Sequence, residues 1–287
     1  MTSRESGSGA KKKTKWRFVY TGMNDAFLNM ALDEALLTLC EKEDFPPVLR
    51  LYRWQPKAVS IGYSQAIDKA LSLERCREMN VDVVRRITGG RAVLHDRDLT
   101  YSVCASKEHF DLLGENVNET YKKISLAFLE SLKILQITGK FEKEFSQKND
   151  LRPYDFSKPC FSSAMRYEIH VDGRKLVGSA QRRFKNSFIQ QGSILLESEN
   201  VDLVELMPFG SGEERRKLRV WLKNRSICIE SLLGENPGLD ELVCAVKSGF
   251  SSFFSVHLVD YDISNQELGL AHKLVNKYRS ESWTLRR

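Results

Sequence analysis

Apolar and polar positions switch period repeatedly along the chain, and each switch marks an element. After Asn24 and Asp25, residues Leu28, Leu32, Ala35, Leu36 and Leu39 recur at helical spacing. This predicts a helix capped by Asn24 or Asp25 and running to about Lys42. PVLRLYRW (47–54) and AVSIGY (58–63) read as strands separated by a turn at Gln55–Pro56. AIDKALSLERCREMN (66–80) reads as one helix, and VDVVRRI (81–87) as a strand running into a Gly89–Gly90 turn. AVLHD (92–96) and LTYSVCAS (99–106) follow as strands, then NVNETYKKISLAFLESLKIL (116–135) as a strongly periodic helix. RYEIHV (166–171) and KLVGSAQ (175–181) form a hairpin across Asp172–Gly173, a pair that tolerates the positive φ a tight turn needs. SFIQQGSILL (187–196) is a further strand, and roughly the last 80 residues are mostly helical apart from VHLVDYD (256–262).

The pattern has no internal repeat and no linker after Trp16. It predicts one α+β domain over residues 16–287, with a mixed, largely antiparallel sheet flanked by helices and a helical C-terminal portion. Residues 1–15 are rich in Ser, Gly and Lys without periodicity, which predicts a disordered basic leader.

Composition narrows the classes. The chain has 287 residues, 41% hydrophobic and 29% charged, as expected of a globular protein able to bury a core. No apolar run approaches the roughly 20 residues of a membrane span, and the N-terminus has no apolar signal core. The six cysteines form no CxxC, so free thiols in a reducing cytoplasm are expected. Of the net charge of +6, Arg4, Lys11, Lys12, Lys13 and Lys15 against Glu5 place +4 in the first 15 residues. The remaining chain carries +2, which sharply weakens the electrostatic case for a nucleic-acid partner.

Chemistry concentrates in two stretches. There is no GxxxxGK[ST] loop, and GSGEER at Gly210 lacks the third glycine of a dinucleotide fingerprint. The histidines His95, His109, His170, His257 and His272 show no metal-ligand spacing. In RRITGGRAVLHD (85–96), Gly89 and Gly90 permit close approach of backbone to a ligand, and the arginines, Arg85 among them, suit an anion. The same residues also read as a tight turn with solvated arginines. His95–Asp96 is either an acid–base pair or a hydrogen-bonded strand end. In KPCFSSAMRYEIHVDGRKLVGSAQRR (158–183), Cys160 and Lys175 are either a filler thiol and a solvated charge or two parts of one reaction.

RRITGGRAVLHDRDLTYSV, YEIHVDGRKLVGSAQRR and IQQGSILL, preceded by NMALDEALL (29–37), resemble in their order the lipoate- and biotin-protein ligase/transferase superfamily, from about Trp16 to the end. Cys160 in PCF, upstream of the GRKLVGSAQ lysine, is similar to the octanoyltransferase branch that uses a cysteine nucleophile. QKND (147–150) matches the Arg-Asn-Asp pattern of the ATP-dependent ligases only in part.

The resemblance implies that octanoyl passes from octanoyl-acyl carrier protein to Cys160 as a thioester. It then passes to a lysine of a lipoyl domain or of the glycine-cleavage H protein. Lys175 stabilises the thiolate and shuttles a proton. Arg85, Gly89, Gly90, His95, Gly178, Ser179 and Ala180 are implied to bind substrate, the last three with backbone N–H groups as oxyanion donors. No cofactor, metal, nucleic acid or membrane is implied, and the location is cytoplasmic. The chain departs from the family at Gln191, where histidine is usual; glutamine hydrogen-bonds but does not titrate near neutrality. Arg182, Arg183 and Lys185 read either as a steering patch for acidic partners or as a solubilising cluster. An ATP-dependent ligase, an amidotransferase between lipoyl proteins and a non-catalytic binding module are the alternative readings.

Overall fold

The computed structural model describes residues 14–42, 45–141, 167–197, 202–208 and 211–286. The expected Cys160 and the QKND segment lie outside the described residues, as do residues 1–13 of the leader.

Strand β1 (Lys15–Asn24) leads into helix α1 (Ala26–Cys40), then β2 (Val48–Trp54) and β3 (Ala58–Ile61). Short helices α2 (Ile67–Ala70) and α3 (Leu73–Glu78) precede β4 (Asp82–Arg85), β5 (Val93–His95) and β6 (Asp98–Ser106). After α4 (Phe110–Leu113) and α5 (Val117–Ile134) come β7 (Lys140–Phe141), β8 (Ile169–Val171), β9 (Arg174–Arg183) and β10 (Ser187–Leu195). The C-terminal part holds α6 (Gly212–Arg225), α7 (Ile229–Leu233), α8 (Leu239–Phe254), β11 (His257–Asp260), α9 (Asn265–Arg279) and α10 (Glu281–Thr284).

Among the described residues eight strands form one sheet in the order β11-β1-β2-β6-β10-β9-β8-β7, parallel from β11 to β2 and antiparallel beyond. The large sheet is the mixed, largely antiparallel one expected from the pattern, and three more strands form a second, smaller sheet, β4-β3-β5. The large sheet has unlike faces. Helices α5 and α8 cover one, burying Ile124, Ala127, Phe128 and Leu132 at helical spacing against Tyr101, Val103 and Phe188. Full burial of a side chain such as Phe128 contributes about 1.5–3 kcal/mol. The other face is covered by α1, through Met30, Leu32 and Leu36, and α9 packs on α1 with Tyr278 buried.

Asp25 is the cap of α1, accepting the Leu28 N–H at 2.7 Å. The Asp172–Gly173 turn forms with φ of 50° and 73° at its two residues, as the sequence predicts. The helix expected over 66–80 is broken. Leu71 is extended, Ser72 caps α3, and the Ser72 N–H donates to the Leu206 carbonyl at 2.7 Å, drawing the chain out of helical register. Strand β1 has no alternation to reveal it, because Trp16 through Val19 are buried on both faces.

Candidate active site

The α1 face of the large sheet can be read in rows from its register. Gly178 pairs with Ser193, Ser193 with Thr100 and Thr100 with Tyr52. Two residues along, Ala180, Gln191, Ser102 and Arg50 form the next row. A cavity lies over these rows. Gly178, Ser179, Ala180, Gln191, Gly192, Ser193 and Thr100 come from the sheet, Met30 from α1, and Ser60, Arg86, Val93 and His95 from the small sheet and its adjoining segment. Tyr52 and Trp54 complete the lining. This slot holds about 420 Å³ of empty space, mouth included. His95, Gly178, Ser179 and Ala180, all expected from the sequence, are brought together here.

His95 is held on three sides. Its Nδ1 donates to Asp98 Oδ2 at 2.8 Å, its Nε2 accepts from the Ser60 hydroxyl at 2.8 Å, and Trp54 stacks on the ring at 4.1 Å and 13°. An ionised Asp98 only accepts hydrogen bonds, which fixes this tautomer. The carboxylate partner is therefore Asp98 and not Asp96. Asp98 also accepts from Thr100, at 2.8 Å, and from Ser193. Burial pushes the Asp98 carboxyl up, but His95 and these hydroxyls outweigh it and hold it below the usual range.

Beneath the slot lies a second buried carboxylate. Asp33 Oδ1 accepts from Arg50 Nη1 and Ser102 Oγ, both at 2.7 Å; Oδ2 accepts from Tyr52 at 2.8 Å and Gln191 Nε2 at 2.6 Å. Burial, then the Asp33 charge, pushes the Tyr52 hydroxyl far up, so it remains a donor. Gln191 Oε1 accepts from Thr88 at 2.7 Å, so one amide ties α1 to the loop after β4. Nothing in the sequence pattern singled out Asp33, Asp98 or Ser60. The available signals were an acid on the apolar face of α1 and an arginine inside the apolar run VLRLYRW.

The end of β4 and the loop after it hold three of the residues expected to bind substrate, Arg85, Gly89 and Gly90. Arg85 is buried and is absent from the slot lining; its donors are taken by the carbonyls of Gly62, Tyr63, Gln65, Trp283, Thr284 and Arg286. It clamps α10 onto the small sheet. Its neighbour Arg86 lines the slot instead, donating to Ser60 O at 2.9 Å and to Gly89 O at 2.7 Å. Of the paired glycines, Gly90 needs its φ of +86°, whereas a Cβ on Gly89 would meet nothing within 4 Å. Neither lines the slot directly. The close approach belongs to Gly62, where a Cβ would overlap the Gly90 carbonyl.

Lys175 sits three residues before Gly178, and it is not among the described lining residues. It is buried, with Nζ donating to Glu168 Oε1 at 2.5 Å. Across the hairpin His170 is held down to about 4 by burial and then by the Lys175 charge. Arg182 stacks on Tyr63 and donates to Ile87 O at 3.2 Å, while Arg183 donates to Thr120 and Gly114 O at 3.0 Å. Both are engaged within the protein. No cluster suited to a metal ion occurs among the described residues, and no helix there is long and apolar enough to cross a membrane.

Comparison with known proteins gives a consistent result. The family model of the lipoyl protein ligase A/B catalytic domain matches residues 25–251. Octanoyltransferase LipM of Bacillus subtilis is 38% identical over 282 residues, covering 96% of this chain and 100% of that protein. Octanoyltransferase LipM of Staphylococcus aureus is 33% identical over 274 residues, covering 95% and 99%. A bi-partite lipoate protein ligase from Thermoplasma acidophilum, described with its E2 lipoyl domain, superposes with a TM-score of 0.79 at 22% identity, over 96% of this chain and 98% of that one. A lipoate-protein ligase A bound with ATP gives 0.75 at 22%, over 95% and 99%. At such identities the structural likeness speaks to the fold.

Proposed function

Because the chain belongs to the lipoyl protein ligase A/B catalytic-domain family, we propose that it is an octanoyltransferase of lipoate biosynthesis, carrying octanoyl from a thioester donor to a lysine of a lipoyl domain. The observation that carries this reading is similarity to octanoyltransferases over essentially the whole chain. The slot supports it physically. Met30, Tyr52, Trp54 and Val93 give it apolar walls, which suit an acyl chain. Each methylene buried there contributes about 0.8 kcal/mol.

In the proposed reaction the Cys160 thiolate attacks the donor carbonyl. A new S–acyl bond forms as the donor C–S bond breaks, and the donor leaves as a thiolate that takes up a proton. One thioester replaces another, so the step is nearly neutral. The neutral amine of the acceptor lysine then attacks the acyl-enzyme; the amide bond forms, the C–S bond breaks to return the Cys160 thiolate, and the proton the amine gives up replaces the one the donor thiolate took, a downhill step. Lys175 supplies the cation that favours the thiolate, and Glu168 fixes its ammonium. The donor is octanoyl-acyl carrier protein, the acceptors are lipoyl domains or the glycine-cleavage H protein, and the reaction is cytoplasmic. Residues 16–287 act as one catalytic domain, and no nucleotide enters the balance.

The test is incubation with octanoyl-acyl carrier protein without ATP, read by intact mass. A hydroxylamine-labile octanoyl adduct mapping to Cys160 is expected. Octanoylation of the acceptor only when ATP is added replaces this reading with the ligase.

A further inference from the structure

Ser60, His95 and Asp98 stand in line at the wall of the slot. Ser60 comes from β3, His95 from β5 and Asp98 from β6, so three strands of two sheets fix the line. The Ser60 hydroxyl is 2.8 Å from His95 Nε2, and His95 Nδ1 is 2.8 Å from Asp98 Oδ2. In the neutral ring, the tautomer imposed by Asp98 leaves Nε2 facing the hydroxyl as an acceptor. Trp54 prevents the ring from rotating away. Arg86 Nη1 lies 3.1 Å from Ser60 Oγ, a positive charge placed where an alkoxide or an oxyanion would develop. Both Ser60 and His95 line the cavity. A hydroxyl that only filled space in a buried wall would need none of this order.

We propose that Ser60 is a second nucleophile, activated by His95 and Asp98, and that it gives the protein a hydrolytic activity toward medium-chain acyl thioesters and esters alongside transfer. The arrangement supplies the nucleophile, the general base and the orienting carboxylate such a reaction requires. Ser60 Oγ attacks the acyl carbonyl while its proton passes to His95 Nε2. The Oγ–acyl bond forms, the C–S bond breaks, and the departing thiolate takes the proton from His95. Water then attacks the serine ester, giving its proton to Nε2, and Ser60 Oγ leaves and is reprotonated by His95. The sum is thioester plus water to carboxylic acid plus thiol. Asp98 stays ionised throughout and stabilises the imidazolium.

The inference rests on the reading that the slot holds an octanoyl thioester. The full chain with Cys160→Ala removes the thiol and is tested with octanoyl-N-acetylcysteamine and p-nitrophenyl octanoate. Hydrolysis above the uncatalysed rate is expected. It should fall about 10²–10⁴-fold when His95→Ala is added, and to the same floor with Ser60→Ala. A fluorophosphonate probe, read by peptide mass, should label Ser60 in the Cys160→Ala protein and fail when His95→Ala is added. Thermal melting separates loss of activity from loss of fold, and the Ser60→Ala change removes a single oxygen. If Cys160→Ala hydrolyses no faster than Cys160→Ala/Ser60→Ala, and Ser60 takes no label, the proposal is wrong and Ser60 only orients His95. Transfer by the wild-type protein is measured in parallel. If transfer without ATP is absent, the octanoyltransferase reading fails; if it is present while the Cys160→Ala protein is inert, only the second nucleophile is lost.

Discussion

Replacing Asp33 by asparagine keeps the size of the side chain and removes its charge. Both Asp33 and its partner Arg50 have fully buried side chains, with the ion pair at 2.7 Å. Removing one member of a buried pair costs about 3–5 kcal/mol, because the other charge remains uncompensated. Arg50 retains bonds to Asn29 O, Asn29 Oδ1 and Thr21 Oγ1, which places Asp33→Asn near the lower end, about 3 kcal/mol. The new amide also creates a mismatch. Each carboxylate oxygen accepts from two donors, so wherever the amide nitrogen sits, two donors lose their acceptor. Urea unfolding should show a lower midpoint with an unchanged slope, and the melting temperature should fall by about 6–12 °C. Adding Arg50→Met, which removes the orphaned charge, should recover part of the loss. A Cm shift worth less than about 1 kcal/mol for the single variant would refute the reasoning, since no buried pair so bonded loses its charge that cheaply.

Other outcomes follow from the same geometry. His170 is held down to about 4, against an ordinary 6.5, so the unfolded chain binds a proton that the folded chain refuses; stability should fall as pH drops from 6.5 toward 4, and His170→Gln should flatten that slope in urea titrations. Lys175→Ala should slow iodoacetamide alkylation of Cys160 at neutral pH. Peptide mapping is needed, because Cys244 is exposed and reacts too; unchanged alkylation with lost transfer would move Lys175 to the acceptor step. Gly62→Ala should lower kcat/KM and the melting temperature by driving a methyl into the Gly90 carbonyl, whereas Gly89→Ala, with open space and no positive φ, should leave both near wild type.

Elements whose hydrophobic period matches one-sided burial were legible in the sequence. Helix α5 and the β8–β9 hairpin are of this kind, since Phe128 and its neighbours share one stripe and Asp172–Gly173 fixes the turn. Strand β1, buried on both faces, has no alternation to read. The break at Leu71–Ser72 is set by a carbonyl more than a hundred residues away, at Leu206, which local propensity cannot register. The slot was partly legible. His95 and Gly178–Ala180 lie in contiguous motifs, and they do line it. Arg85 and Arg86 are adjacent and chemically identical, and only the direction of each side chain from the end of β4 separates a clamp from a slot residue. Asp96 and Asp98 differ in the same way. Asp33 reaches from α1 to Gln191 on the sheet below it, 158 residues on, so no spacing rule connects them.

The edge where β1 lies beside β11 bears on how the chain is made. Lys15 pairs with His257, and Arg17 bonds Glu267 at 2.5 Å across a separation of 250 residues. At roughly 5–20 residues per second, β1 leaves the ribosome about 10–50 s before its outer neighbour has been synthesised. Throughout that interval the apolar WRFVY segment has one side of its ladder open. A parallel partner so distant in sequence is also among the slowest contacts for a chain to find. The edge therefore closes only after synthesis is nearly complete, which makes nascent chains stalled before residue 257 the species most exposed to chaperones and to mispairing through β1.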